Sequence, residues 1–300
     1  MKVLVTGGTG FIGQYVCEEL TRRNHTVVKF DRYKRLKEED GILFLGDVTD
    51  DVAVTEAFAH CDAFIHLAAV LGTQETIQNP IPAAKSNLLG GLNVLEAAAQ
   101  YSLPGVYIGV GNHWMNNTYS ITKTMIERFV DMFNNDRGTT INIVRAMNAY
   151  GPRQVPATPY GSAKVRKITP SFICRALNNH DIEIYGDGNQ ISDMIYVTDV
   201  AKALVDTLEI SNSGNIIPTI EIGPVENKSV NEIAELIIKL ADSKSKIVHL
   251  PMRPGEIPGA TVVADCKTLE YINMDPNNFT TLEEGMFNTI EYYREYLNKL

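Results

Sequence analysis

Two residues into the chain, Val3-Leu4-Val5-Thr6 runs into Gly7-Gly8-Thr9-Gly10-Phe11-Ile12-Gly13, and a helical periodicity follows over Gln14–Arg23. A β-branched strand, a glycine turn and a helix in immediate succession constrain the fold strongly. Glycines at 7, 10 and 13 let the backbone turn tightly and let a pyrophosphate approach it. The helix N-terminus then offers unpaired N–H groups and a partial positive charge. The spacing differs from the ordinary dehydrogenase pattern, in which two of the glycines stand closer together. A glycine-rich turn without a ligand is the competing reading.

The alternation continues. Thr26–Phe30, Leu43–Leu45, Ala63–Leu67, Gly105–Val110 and Ile141–Arg145 read as strands, and Asn87–Gln100 as an Ala/Leu-rich helix. Strands separated by helices predict an α/β, Rossmann-type, doubly wound parallel sheet. The pattern changes at Gly151-Pro152, where a Pro/Gly-rich loop to residue 164 precedes a helix over Ser171–Asn179. The expected organisation is a dinucleotide-binding unit over 1–152, with returns at about 190–220 and 256–270. A smaller substrate-binding domain takes most of 153–300.

Asp31 ends the second strand, 18 residues after Gly13. A carboxylate there accepts from both adenosine ribose hydroxyls and repels a 2′-phosphate, which favours NAD over NADP. Arg32 beside it pulls the other way, and a solvated turn acid is the bland alternative. Asp47-Val48 follows another short strand and could meet the adenine edge, or be a plain turn. Tyr119 and Lys123 lie one helical turn apart. On one face, the ammonium stabilises a phenolate and lowers the tyrosine pKa from near 10, making a base for a hydroxyl proton.

Lys and Arg number 27 against 36 Asp and Glu, a net charge of −9. That balance argues against an electrostatic nucleic-acid binder. The four cysteines, Cys17, Cys61, Cys174 and Cys266, form no close pair and read as free thiols, with a disulfide left open. The opening apolar run is too short for a signal-peptide core. No stretch approaches the roughly 18 apolar residues of a membrane span. A cytoplasmic protein without membrane or nucleic-acid partners is expected, and no metal site is read.

Together these pieces resemble the NAD-dependent nucleotide-sugar epimerase/dehydratase family of extended short-chain dehydrogenase/reductases. The resemblance rests on Thr6–Gly13, His66-Leu67-Ala68-Ala69, Asn87–Asn93, Tyr119 with Lys123, and Arg145-Ala146-Met147-Asn148-Ala149-Tyr150-Gly151-Pro152. Ile184–Gly188, Tyr196–Ala201 and Arg253-Pro254-Gly255-Glu256 extend it through most of the chain. It implies NAD contacts from Gly7, Thr9, Gly10, Phe11, Ile12, Gly13, Asp31, Arg32, Asp47, Val48, Leu67, Ala68, Ala69 and Asn87. It implies that Lys123 touches the nicotinamide ribose, beside Tyr119, and that Asn148 and Arg253 contact a nucleotide-diphosphate sugar. It also implies a homodimer through two helices per subunit, one beginning near Tyr119. Ile121, Met125, Ile126, Phe129 and Met132 fit a buried face of that helix.

Three departures qualify the resemblance. The family's Ser or Thr before the tyrosine, which hydrogen-bonds the reacting sugar oxygen, aligns with Gly111. The Asp-Glu pair of 4,6-dehydratases is replaced by Asn112-His113, and either residue is a candidate for the missing donor. Ser192 stands where an Arg grips the substrate pyrophosphate, with Lys164, Arg166 and Lys167 as candidate replacements. The reading is C4 epimerisation of a UDP- or dTDP-sugar through a 4-keto intermediate. Its rivals are a nucleotide-sugar dehydratase or 4-keto reductase and, from another class, a non-catalytic dinucleotide-binding sensor or scaffold.

Overall fold

The computed structural model describes residues 1–33, 42–157 and 167–297. The elements run β1 (Lys2–Thr6), α1 (Phe11–Arg22), β2 (Thr26–Asp31), β3 (Ile42–Leu45), α2 (Asp51–Phe58) and β4 (Ala63–His66). Short helices α3 (Thr73–Gln78) and α4 (Pro80–Ala83) lead through a π-helical stretch, Ala84–Leu89, into α5 (Gly90–Tyr101). Then come β5 (Gly105–Ile108), α6 (Thr118–Arg137), β6 (Ile141–Ala146) and β7 (Asn148–Tyr150). The latter part holds α7 (Ile168–Leu177), β8 (Ile182–Tyr185), β9 (Ile191–Ser192), β10 (Met194–Tyr196), α8 (Val197–Asn212) and β11 (Ile220–Ile222). It ends with α9 (Val230–Ala241), β12 (Ile247–Leu250), β13 (Thr261–Val262) and α10 (Leu282–Leu297).

Seven strands form one parallel sheet in the order β11-β6-β5-β4-β1-β2-β3. The chain first winds outward from β1 through β2 to β3, then crosses back to β4. That reversal leaves a crevice at the carboxyl ends of β1 and β4, the position where open α/β sheets bind ligands. Alternate residues of β1 serve opposite faces, as the strand period requires. Val3 and Val5 join one core with Val16, Leu20, Leu204 and Leu208 of α1 and α8. Leu4 joins the other with Phe58, Leu95, Ile126 and Val130 of α2, α5 and α6. A third core gathers Tyr150, Phe172, Ile184, Ile233, Ile237 and Tyr293 from the latter part. β11 completes the edge of the sheet beside β6, whereas β9, β10 and β13 pair outside it, in two-stranded sheets with β13, β7 and β9.

The helix expected over Asn87–Gln100 starts earlier and begins as π-helix, so Asn87 lies inside a turn rather than at a cap. The face expected to be buried on α6 is divided. Ile126 is buried, whereas Ile121, Met125 and Met132 are 46%, 41% and 37% exposed. No helix among the described residues is long and apolar enough to cross a membrane. The cysteines are free.

Candidate active site

The glycine loop occupies the crevice beside β4. Gly7 adopts φ +70°, and a Cβ there would stand 2.9 Å from the Ala68 nitrogen. At Gly13 a Cβ would overlap the Gly7 carbonyl oxygen, so only hydrogen fits where α1 passes the turn. α1 has no side-chain cap, and its first internal bond runs from Gln14 N–H to Gly10 O, leaving the N–H groups of Phe11, Ile12 and Gly13 at the helix start. Phe11 and Ile12 pack their side chains on the first core. A loop that a Cβ would fill, set against an uncapped helix N-terminus, fits a pyrophosphate.

Asp31, at the end of β2, lies beside the same loop. Its Oδ2 accepts the Thr9 N–H at 3.1 Å and its Oδ1 accepts the Arg32 N–H at 2.8 Å. Each oxygen keeps a lone pair for a ribose hydroxyl. The Arg32 guanidinium leans to Asp47, with Nη1 3.6 Å from Oδ2. Asp47 itself accepts from the Thr49 N–H and hydroxyl, both at 2.9 Å, as a turn acid does. Val48 is buried against Gly90, and its carbonyl accepts from Asn93 Nδ2 at 3.0 Å, so its side chain is part of the core. Leu67, Ala68 and Ala69 continue from β4 along the loop, anchored where the Leu67 and Ala68 N–H groups meet Thr6 Oγ1. Asn87 is buried and clamps this segment: it accepts from Val70 N–H at 2.7 Å and donates to Val70 O and Thr122 Oγ1.

α6 supplies Tyr119 and Lys123. Asn117 caps the helix, and Thr76 of α3 fixes its first turn, accepting from Tyr119 N–H at 3.2 Å while its carbonyl accepts from Thr118 Oγ1 at 2.9 Å. Tyr119 keeps part of its surface open, yet burial, with Glu127 adding, pushes its phenol up to about 12. Lys123 is buried, and desolvation takes its ammonium down to about 7 against the opposing pull of Glu127. The expected lowering of the tyrosine by its lysine is not found: burial and Glu127 raise it instead. Behind the pair lies His66, buried, held near 3 by desolvation, with Nδ1 2.6 Å from Thr6 Oγ1.

Across the crevice, Arg253 lies 4.8 Å from the Tyr185 ring centre and pairs with Glu256. Tyr185 and Arg253 wall a cavity of about 380 Å³ together with Gln74, Glu75 and Met252. The Arg253 Nε is enclosed without a protein partner. Asn148 is exposed and donates through Nδ2 to Ser192 Oγ at 2.8 Å and to Asp193 O. Lys164 and Arg166 lie outside the described residues, and Lys167 is exposed just ahead of α7. No group of three or more His, Cys, Asp or Glu among the described residues is placed to hold a metal ion.

Residues 3–223 match the model of the NAD dependent epimerase/dehydratase family. The chain belongs to that family. Its cofactor is NAD, and the loop and Asp31 described above are the groups that fit it. The chain is 29% identical to a UDP-N-acetyl-alpha-D-glucosaminuronate decarboxylase of Bacillus cytotoxicus, over 99% of each chain. It is likewise 29% identical to a putative UDP-glucose 4-epimerase of Methanocaldococcus jannaschii, over 97% of this chain and 98% of that one. The crystal structure of UDP-glucose 4-epimerase with UDP-glucose from Thermotoga maritima superposes with a TM-score of 0.88 at 26% identity, covering 99% of this chain and 100% of that one. The UDP-glucose 4-epimerase of Thermus thermophilus in complex with NAD gives 0.85, also at 26% identity, covering 98% and 99%.

Within the family frame, the departures acquire physical form. A Cβ at Gly111 would overlap Met147 Sδ, so the volume beside residue 111 is already taken. Asn112 bonds to Ser120 and Met115. His113 is half-buried, with Nδ1 enclosed and unpartnered. Ser192 is buried and holds Asn148. Sequence reasoning missed Glu127, whose Oε2 meets Arg145 Nη2 at 2.6 Å and whose Oε1 accepts the Val110 N–H at 3.3 Å. Its signal was present: Glu127 stands four residues after Lys123, on the same helix face.

Proposed function

We propose that this protein epimerises a UDP- or dTDP-sugar at C4 without net redox change. The observation that carries this reading is the pair Tyr119 and Lys123 on the first turns of α6, which Thr76 of α3 anchors next to Gln74 and Glu75 of the cavity walled by Tyr185 and Arg253. Bound NAD⁺ supplies a reversible hydride acceptor for the sugar carbon. Tyr119 takes the proton of the C4 hydroxyl, and the ammonium form of Lys123, one turn on, favours its phenolate. The resulting 4-keto sugar turns within the cavity, its opposite face takes the hydride back at C4 while Tyr119 returns the proton to the oxygen, and the opposite C4 configuration results. Arg253 holds the nucleotide diphosphate, and Asn148 contacts the same substrate.

Dehydration needs an acid and a base at C5 and C6, and an amide at Asn112 does neither job. Uronate decarboxylation shares the first step, because a C4 ketone is β to a C6 carboxylate. A product panel separates the three. UDP-glucose, UDP-N-acetylglucosamine, UDP-glucuronate and dTDP-glucose are each incubated with the enzyme. Epimerisation leaves mass unchanged, whereas the rivals lose water or carbon dioxide, and a reductase consumes NAD(P)H. Tyr119→Phe should lower turnover by about 10²–10⁴-fold, the usual worth of a positioned base, with NAD content per chain unchanged. Wild-type levels of product from that variant would defeat the mechanism.

The exposed stripe of Ile121, Met125 and Met132 on α6, with Leu89 on the adjoining π-helical turn, supports a homodimer in which a second copy covers it. Free thiols at all four cysteines support residence in the reducing cytoplasm.

A further inference from the structure

The turn over residues 111–113 ends a hydrogen-bond chain whose direction is fixed from its far end. Asn117 Oδ1 accepts the Ser120 N–H at 3.0 Å. A backbone N–H can only donate, so the remaining amide atom of Asn117 is its Nδ2, and this donates to Ser120 Oγ at 3.1 Å. Having accepted there, the Ser120 hydroxyl sends its own proton to Asn112 Oδ1 at 3.2 Å. Asn117 and Ser120 are buried, so no water reverses the order. The Asn112 oxygen therefore faces Ser120 and its Nδ2 turns away. One Nδ2 proton lies toward Met115 Sδ at 3.2 Å, a weak acceptor, and the other is left for a ligand. Asn112 is half-buried, so that proton is reachable.

Next to it, Met147 removes the usual alternative. A Cβ at Gly111 would overlap the Met147 sulfur, so a side chain at 111 requires that thioether to move, and a thioether donates nothing.

We propose that Asn112 Nδ2 is the hydrogen-bond donor to the reacting C4 oxygen of the sugar, with Ser120 and Asn117 as the residues that position it; this rests on the nucleotide-sugar reading above. An amide N–H stabilises the developing alkoxide but takes no proton from it, so the whole base role falls on Tyr119. His113, alone in the turn with an enclosed and unpartnered nitrogen, is the competing donor.

The test measures kcat, KM and NAD content of the full-length enzyme on whichever of UDP-glucose, UDP-N-acetylglucosamine, UDP-glucuronate and dTDP-glucose it turns over best. Asn112→Asp keeps the shape and the acceptor for Ser120 but loses the donor. It should lower kcat by about 10²-fold, the scale of one donor to a developing oxyanion, with NAD content unchanged. Asn112→Ala should do the same without adding charge. Ser120→Ala should lower kcat by itself yet add nothing in the Asn112→Ala background, as coupled residues do and a merely structural defect does not. Gly111→Ser with Met147→Ala, placed in the Asn112→Ala background, should recover at least about tenfold of the lost kcat. Wild-type kcat in Asn112→Asp, or the entire loss appearing in His113→Ala instead, overturns the proposal while leaving the epimerase reading intact. Wild-type enzyme that turns over none of the four sugars overturns both.

Discussion

The Lys123 ammonium nitrogen sits 4.0 Å from the centre of the Tyr107 ring, on the inner side of α6. The Tyr107 hydroxyl in turn donates to the Lys123 carbonyl at 3.2 Å, so β5 grips the lysine at both ends. The π face attracts the cation, but it does not replace the water lost on burial, and Lys123 falls from 10.5 to about 7.

A stability effect follows, with a definite sign. The folded chain holds this proton more weakly than the unfolded chain, so between about pH 7 and 10.5 the unfolded state binds more protons and stability rises with pH. Below about 7 both states are protonated and the full penalty applies. Lys123→Met should therefore raise the melting temperature at pH 7 by several degrees and flatten its rise toward alkaline pH. Turnover is lost in the same variant. Thermal melts of nucleotide-stripped wild type and variant across that range check it, and parallel pH profiles would refute it.

The buried ion network below Lys123 makes a second prediction. Arg145 bonds Glu127 through Nε and Nη2 and reaches Glu221 through Nη1 at 3.0 Å. Arg145→Met strands the Glu127 carboxylate, at a cost of about 3–5 kcal/mol. Arg145→Met with Glu127→Leu should regain much of that, since paired apolar replacements remove the stranded charge. Urea midpoints report both. Because Glu127 also holds the Val110 N–H, the single variant should loosen the 111–113 turn and lower kcat more than NAD content.

What was legible in the sequence follows from the range of the interactions. The glycine loop, Asp31 and the Tyr119–Lys123 spacing are local patterns, and the strand periodicity reports directly on burial by alternating faces. The Glu127–Arg145–Glu221 network joins residues 18 and 76 positions from Arg145, a separation that no window reveals. The 3.6 periodicity of α6 marks its apolar residues without saying which face meets the sheet, so Met125 read as core although it is exposed. Gly111 read as a loss, and the Met147 sulfur that stands where its Cβ would go comes from 36 residues away. The phenol of Tyr119 read as lowered because spacing shows the cation one turn on, but not the desolvation that raises it.

Asp31 should decide cofactor choice. Its two oxygens each take one backbone N–H and leave the rest of their capacity for ribose hydroxyls. Asp31→Ala removes two charge-assisted bonds worth about 1.5–3 kcal/mol each, so NAD affinity should fall by about 10²–10⁴-fold. The same change frees the Arg32 side of the crevice from a repelling carboxylate, so NADP should gain relative to NAD. Calorimetric titration with both dinucleotides measures the ratio, and an unchanged preference would show that Asp31 does not touch the ribose.

The outward stripe of α6 gives the last prediction. Ile121, Met125 and Met132 lie four and seven residues apart, which keeps them near one face, and all three are more than a third exposed. The same helix turns Lys123, Glu127 and Val130 inward, so a change on the outer stripe leaves the catalytic side in place. If a second copy covers the stripe, Met125→Glu sets a carboxylate, and across the two-fold axis its twin, in an apolar seam. That burial has no partner to offset it. Wild-type protein should sediment as a dimer at micromolar concentration and the variant as a folded monomer with its NAD retained. A wild type that remains monomeric at every concentration would leave the stripe without its proposed partner.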